Sequence, residues 1–130
     1  MGSASADLMF IQKESTTKRG RTAEDRIVGC CRRWGWVVIS RNWRCRGGEL
    51  DIVAWDQEQF IVVEVKCRTS ARWGVAKTQL TVAQRRRLYA TFEQYCYRHG
   101  LGERLWRLDL VALQYRDRRW YSTHYEGVNV

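Results

Sequence analysis

The stretch Glu49-Leu50-Asp51-Ile52-Val53-Ala54-Trp55, Asp56-Gln57-Glu58-Gln59, Phe60-Ile61-Val62-Val63-Glu64-Val65-Lys66 decides the fold of this chain. Two apolar, β-branched runs flank four polar residues, the pattern of an antiparallel hairpin. A four-residue turn at 56–59 sets Trp55 opposite Phe60. Continued inward, the same register sets Val53 opposite Val62, Asp51 opposite Glu64 and Glu49 opposite Lys66. Side chains alternate along a strand, so Asp51, Glu64 and Lys66 are expected on one face of a sheet.

That arrangement has a chemical consequence. Directly opposed residues have Cβ atoms about 4.5–5.5 Å apart, and like charges there are destabilising. Two opposed carboxylates call for a cation. Mg²⁺ or Mn²⁺ fits best, since both take oxygen ligands and keep waters or substrate phosphates in their shells. The carbonyl of Val65, between the two charged side chains, is placed to add a backbone ligand. Lys66 beside such an ion can position an attacking water and offset charge on a phosphate. A solvated hairpin face with Asp–Glu and Glu–Lys pairs fits the same residues, and a bulge would move one carboxylate to the other face.

Working outward, Trp36 to Cys45 reads as a strand joined to the hairpin by Arg46-Gly47-Gly48. A helix is expected from Arg21 to Trp34, with Thr22 at its N-cap and Gly35 just past its end. Glu24 shares a stripe with Ile27, Val28 and Cys31, which puts a carboxylate on the apolar side. Either it faces a charged site on the sheet, or it favours the helix dipole from the first turn. Residues 1–19, rich in Ser, Thr and Ala, are expected as a flexible tail.

Beyond the hairpin, 67–80 reads as a loop and Val82 to Arg98 as a helix. Thr81-Val82-Ala83-Gln84 fits a capping box, although Gln84 can also reach the site from that position. Strands at 105–114 and 120–125 complete a single domain over 20–130, an α/β fold with a mixed sheet.

The charge agrees with an anionic partner. Lys and Arg number 23 against 14 Asp and Glu, a net charge of +9, and a small domain that basic repels itself without one. Arg85-Arg86-Arg87 opens a helix and suits backbone phosphates, as it also suits a solvated face. Arg41, Arg44, Arg46, Arg68 and Arg72 extend the basic strip. Trp43 and Trp73 lie in basic surroundings where bases can stack, while Trp34, Trp36, Trp55 and Trp106 read as core.

The five cysteines form no C-x-x-C pair and sit in apolar runs, as buried free thiols of a reducing compartment do. No run is long and apolar enough for a membrane helix, and no secretion signal is evident, so a cytoplasmic protein without membrane association is expected. There is no G-x-S-x-G elbow, P-loop or dinucleotide glycine loop, and neither His99 nor His124 has a nucleophile beside it in sequence.

Seven short motifs stand in order. They are Gly20-Arg21-Thr22-Ala23-Glu24-Asp25, Gly35-Trp36, Arg41-Asn42-Trp43-Arg44, Gly48-Glu49-Leu50-Asp51, Val63-Glu64-Val65-Lys66-Cys67-Arg68, Gln84-Arg85-Arg86-Arg87-Leu88 and Leu108-Asp109-Leu110-Val111. Together, over residues 20 to about 114, they resemble the bacterial YraN-like family, itself similar to archaeal Holliday junction resolvases of the PD-(D/E)xK nuclease superfamily. The resemblance implies a restriction-endonuclease-like α/β domain with a central mixed sheet flanked by helices. It implies Glu24 as the helix-borne acid, Asp51 and Glu64 as ligands of Mg²⁺ or Mn²⁺, and Lys66 as the catalytic lysine. Gln84 stands where the family commonly has Lys. Glu49 fits a supporting role. Arg44, Arg68, Arg85 and Arg86 are the expected nucleic-acid contacts. The implied substrate is DNA, branched or otherwise structured, which a homodimer can engage. The rival expectation is a basic nucleic-acid-binding module that keeps the fold without cutting.

Overall fold

The computed structural model describes residues 4–9, 16–68 and 80–128, with side chains described for 23–67, 80–115 and 117–128. Its elements are β1 (Ala4–Met9), α1 (Thr16–Arg33), β2 (Val37–Cys45), β3 (Gly48–Trp55), β4 (Phe60–Arg68), α2 (Val82–Arg98), β5 (Trp106–Arg116) and β6 (Arg119–Tyr125). Six strands form one mixed sheet in the order β1-β6-β5-β4-β3-β2. β4 and β5 are parallel, and the other neighbours are antiparallel.

The parallel step places α2 between β4 and β5 in the chain, since parallel neighbours need a crossover connection. Ile61, Val62 and Val63 of β4 are fully buried, as expected of a central strand covered on both faces. Below it lie Ala23, Ile27, Val28 and Cys31 of α1 with Ile52, Ile61 and Val63. Above it lie Leu88, Phe92 and Tyr95 of α2 with Leu50, Val53 and Val62. The alternation that separates Ile61 and Val63 from Val62 is thus the period of the strand written into two cores.

Element ends follow local chemistry. α1 stops where Gly35, at φ +86°, turns the chain and Trp36 N–H bonds back to the Cys31 carbonyl. The β3–β4 turn is held by Asp56, whose carboxylate accepts the N–H groups of Glu58 and Gln59, each at 2.9 Å. α2 carries the complete capping box of Thr81 and Gln84.

Three sequence expectations change here. Part of the stretch read as a tail is an edge strand, Ala4 pairing with Tyr125 through Met9 with Trp120, and α1 begins at Thr16 rather than 21. A run of small and polar residues carries little β signal of its own, and the pairing comes from the open edge of β6. Trp34 is 39% exposed and stacks on His124 at 4.8 Å instead of entering the core. None of the five cysteines forms a disulfide; Cys30, Cys31 and Cys96 are buried, and burial pushes the Cys31 thiol up to about 12. Among the described residues no helix is long and apolar enough to cross a membrane.

Candidate active site

The hairpin register holds as the turn length dictates: Trp55 pairs with Phe60, Val53 with Val62 and Ile52 with Val63. There the ladder ends, and Asp51–Glu64 and Glu49–Lys66 are not among its pairs. In place of a backbone partner, the Asp51 carboxylate accepts the Val65 N–H at 2.8 Å. β3 changes its facing at the same point. Val53 and Leu50, three residues apart, both pack toward α2, with Ile52 toward α1. The opened end of the hairpin leaves room for side chains where a ladder would have closed it.

Asp51 and Glu64 still meet. Burial, the Asp51 charge and a hydrogen bond with Asp51 push the Glu64 carboxyl up to about 8, with Lys66 partly offsetting them and Glu49 adding to the rise. Lys66 Nζ stands 3.9 Å from Glu64 Oε2, and both side chains are less than one-fifth exposed. Glu24, half-buried on α1, belongs to the same electrostatic group. Burial and Asp51 raise its pKa, while the Asn42 side chain, at hydrogen-bonding range, and Arg41 lower it. Because α1 begins at Thr16, Glu24 lies beyond its first turn, which removes the helix-dipole reading of that residue.

Glu64 and Lys66 open onto a cleft of about 470 Å³ between the β2–β3 hairpin tip and the first turns of α2, whose lining does not include Asp51 or Glu24. Glu64 and Lys66 line its floor, Arg44 and Arg46 one wall, and Gln84 and Arg87 the other. The hairpin tip is seated on α2 at Gly48, where an added Cβ would lie 2.5 Å from Thr91 Oγ1. Glycine is required there by close approach.

Gln84 serves both expected roles in part. Its Oε1 accepts the Thr81 N–H at 2.8 Å, so what it presents to the cleft is its amide donor. Glu49 does not support Lys66 as the extended register required; it pairs with Arg44 at 3.1 Å across β2–β3. Val65 turns its side chain toward the α1 core and its N–H toward Asp51.

Of the expected phosphate contacts, Arg44 lines the cleft. Arg85 reaches the Val128 carbonyl at 3.3 Å, and Arg86 is exposed outside the cleft lining. The side chain of Arg68 lies outside the described residues, as does Trp73. Trp43 packs edge-on against Tyr95, 5.2 Å away, with Arg98 over its ring. Arg46 and Arg87 are the cleft cations that sequence reasoning underweighted. Helical period was the available signal: Arg87 is three residues after Gln84 and shares its face.

The donor set suits Mg²⁺ or Mn²⁺. Among the described residues no three His, Cys, Asp or Glu side chains gather into a ready cage. Mg²⁺ is ordinarily held by one or two carboxylates with waters and substrate phosphates, and a partly buried carboxylate pair in which Glu64 otherwise favours its protonated form matches that habit.

A second polar cluster lies apart from the cleft. Asp109 is fully buried and accepts from Arg107, His124 and the Gly127 N–H at 2.8–3.0 Å. Burial alone would raise its pKa; the bonds from His124, Arg107 and Gly127 outweigh it and lower the carboxyl below its ordinary range. This network ties β5 to β6 and to the segment after β6.

The sequence pattern described as Uncharacterised protein family UPF0102 matches residues 23–113. A UPF0102 protein of Myxococcus xanthus (strain DK1622) is 34% identical over 108 residues, covering 83% of this chain and 86% of its own length. One of Chloroflexus aurantiacus (strain ATCC 29366 / DSM 635 / J-10-fl) is 37% identical over 107 residues, 80% of this chain and 87% of its own. One of Pseudomonas aeruginosa (strain LESB58) is 33% identical over 106 residues, 81% and 85%. The matched span runs from Ala23 to Leu113 and takes in Glu24, Asp51, Glu64, Lys66 and Gln84. The chain belongs to the UPF0102 family, the YraN-like group that its ordered motifs resemble.

Proposed function

We propose that this protein is a metal-dependent endonuclease of restriction-endonuclease-like fold that hydrolyses phosphodiester bonds in DNA. The observation that carries the reading is Glu64, less than one-fifth exposed, set against the Asp51 carboxylate and beside Lys66 on the floor of a cationic cleft. Two carboxylates so placed destabilise the fold unless a proton or a cation lies between them, and a purely structural position has no use for them.

Asp51 and Glu64 would hold one or two Mg²⁺ or Mn²⁺ ions, with the Val65 carbonyl as a third donor and Glu24 completing or orienting the shell. Bound there, such an ion would supply Lewis-acid polarisation of the scissile phosphate. Lys66 would lie beside that phosphate and donate a hydrogen bond to the attacking water. The Gln84 amide would offer its donor to DNA lying in the cleft. Arg44, Arg46 and Arg87 receive neighbouring backbone phosphates, and their guanidinium forks match phosphate oxygens. Branched or structured DNA, engaged by a symmetric pair of chains, is the proposed substrate class.

The test is cleavage of labelled linear duplex, single-strand, fork and four-way-junction DNA with Mg²⁺ or Mn²⁺. Asp51→Ala, Lys66→Ala and EDTA serve as controls. Cutting that requires metal and falls by about 10²-fold or more in each variant is expected. DNA binding by a folded wild type that never cuts would leave a non-catalytic binding module. Cutting that survives both substitutions would place the chemistry elsewhere.

A further inference from the structure

Asn42 lies inside β2 with φ +50°, and among the described residues it is the only non-glycine with a left-handed backbone within a strand. Gln57, Asp117 and Arg118, the others, sit in turns. Asn tolerates that region better than most residues, but it is still a sparsely populated conformation that persists only where the surroundings hold it.

Its geometric effect is specific. Neighbours in a strand point to opposite faces, yet Arg41 and Asn42 both reach α1. Arg41 forms an ion pair with Asp25, and the exposed Asn42 side chain acts closely enough on the Glu24 carboxyl to lower its pKa, while Ser40, just before them, turns to Tyr95 of α2. Beyond them Trp43 turns to the other face and packs on Tyr95 of α2. Residue pairing keeps one register on either side, from Ser40–Val53 to Cys45–Gly48, so Asn42 stands across from Asp51, where β3 makes its own change of facing. Two consecutive residues of β2 thus answer two consecutive acids of α1, across the strand pair from Asp51.

We infer that Asn42 is a positioning residue of this site: its left-handed backbone turns the amide onto Glu24 and fixes the helix-borne acid toward Asp51. The inference rests on the reading of the cleft as a metal site. The amide donor holds the Glu24 carboxylate in one orientation, as outer-shell partners hold metal-binding carboxylates elsewhere.

Glycine separates backbone from side chain, because it adopts φ +50° without strain and brings no amide. Mn²⁺ affinity would be measured by titration calorimetry for wild type, Asn42→Gly, Glu24→Gln and the double variant. The stability of all four would be measured by urea unfolding in EDTA. The expected result is a loss of Mn²⁺ affinity of about 10- to 100-fold in Asn42→Gly, with the double variant no weaker than Glu24→Gln alone. Wild-type affinity in Asn42→Gly would overturn the proposal and leave Asn42 a backbone role only. If the wild type binds no Mn²⁺, the metal reading fails by itself, and the EDTA cycle decides the rest. Non-additive midpoints keep Asn42 as the residue that positions Glu24, and additive midpoints remove it.

Discussion

Glu64→Gln removes a buried charge, keeps the side chain's shape, and gives Asp51 an N–H in place of a proton-bearing carboxyl. In the folded protein Glu64 has a pKa of about 8, against an ordinary value of 4.5, chiefly through burial and the Asp51 charge. A carboxyl raised on folding contributes its full stability below pH 4.5, and that contribution is lost as the pH rises toward 8. Each tenfold change in a protonation equilibrium corresponds to about 1.4 kcal/mol, so between pH 4.5 and neutrality the metal-free wild type loses on the order of 3 kcal/mol through this group. The substituted glutamine does not titrate, and it forgoes only the 3.9 Å contact with Lys66, worth about 1 kcal/mol or less. In EDTA near pH 7 the variant is therefore expected to be more stable by about 2 kcal/mol, roughly 5–10 °C in Tm for a chain of this size. Near pH 5 the advantage should nearly vanish. With Mn²⁺ in excess the order should reverse, because binding stabilises only a protein that retains the site. Thermal unfolding followed by circular dichroism at the two pH values, with EDTA and with Mn²⁺, measures all four quantities. A variant less stable than wild type in EDTA near pH 7, or a gain equal at both pH values, would refute the Asp51–Glu64 repulsion on which the site rests.

Gly48→Ala is expected to cost about 1–3 kcal/mol in urea unfolding, because its Cβ meets Thr91 Oγ1, and Thr91→Ala should restore most of the loss. The same contact sets the cleft walls, so the single variant should also weaken DNA binding. Asp109→Asn removes the buried carboxylate that holds the partly exposed Arg107, His124 and the Gly127 N–H, and is expected to lower stability by about 2–4 kcal/mol near pH 7, read by calorimetry. Because the Asp109 pKa is lowered on folding, its contribution is present above pH 3.8 and is lost as the pH falls further, so the difference from wild type should shrink below that value. Arg87→Ala should reduce the slope of log K against log salt for DNA binding by about 1, measured by fluorescence anisotropy. Arg85→Ala, whose guanidinium is held by the Val128 carbonyl, should leave that slope unchanged.

The sequence by itself determined the elements whose causes are local. Four turn residues between two apolar runs placed Trp55 against Phe60, and alternation then assigned Ile61, Val62 and Val63 to opposite cores. The Thr81–Gln84 capping box placed α2 at the bounds the structure has. The motif order gave the family and, with it, Arg44, Glu64, Lys66 and Gln84 of the cleft. Other features depended on competition between groups distant in the chain. The ladder stops after Ile52–Val63 because the Asp51 carboxylate takes the Val65 N–H, a choice that residue spacing does not encode. Glu49 answers Arg44 rather than Lys66 because β2 lies on its other side. Among three consecutive arginines, Arg87 enters the cleft and Arg85 does not, since a carbonyl from the far end of the chain waits for Arg85 alone. β1 exists where its own residues carry little strand signal, because β6 offers an edge to pair with. Periodicity and turn chemistry are written along the chain; which donor meets which acceptor is settled only when the sheet and both helices are in place.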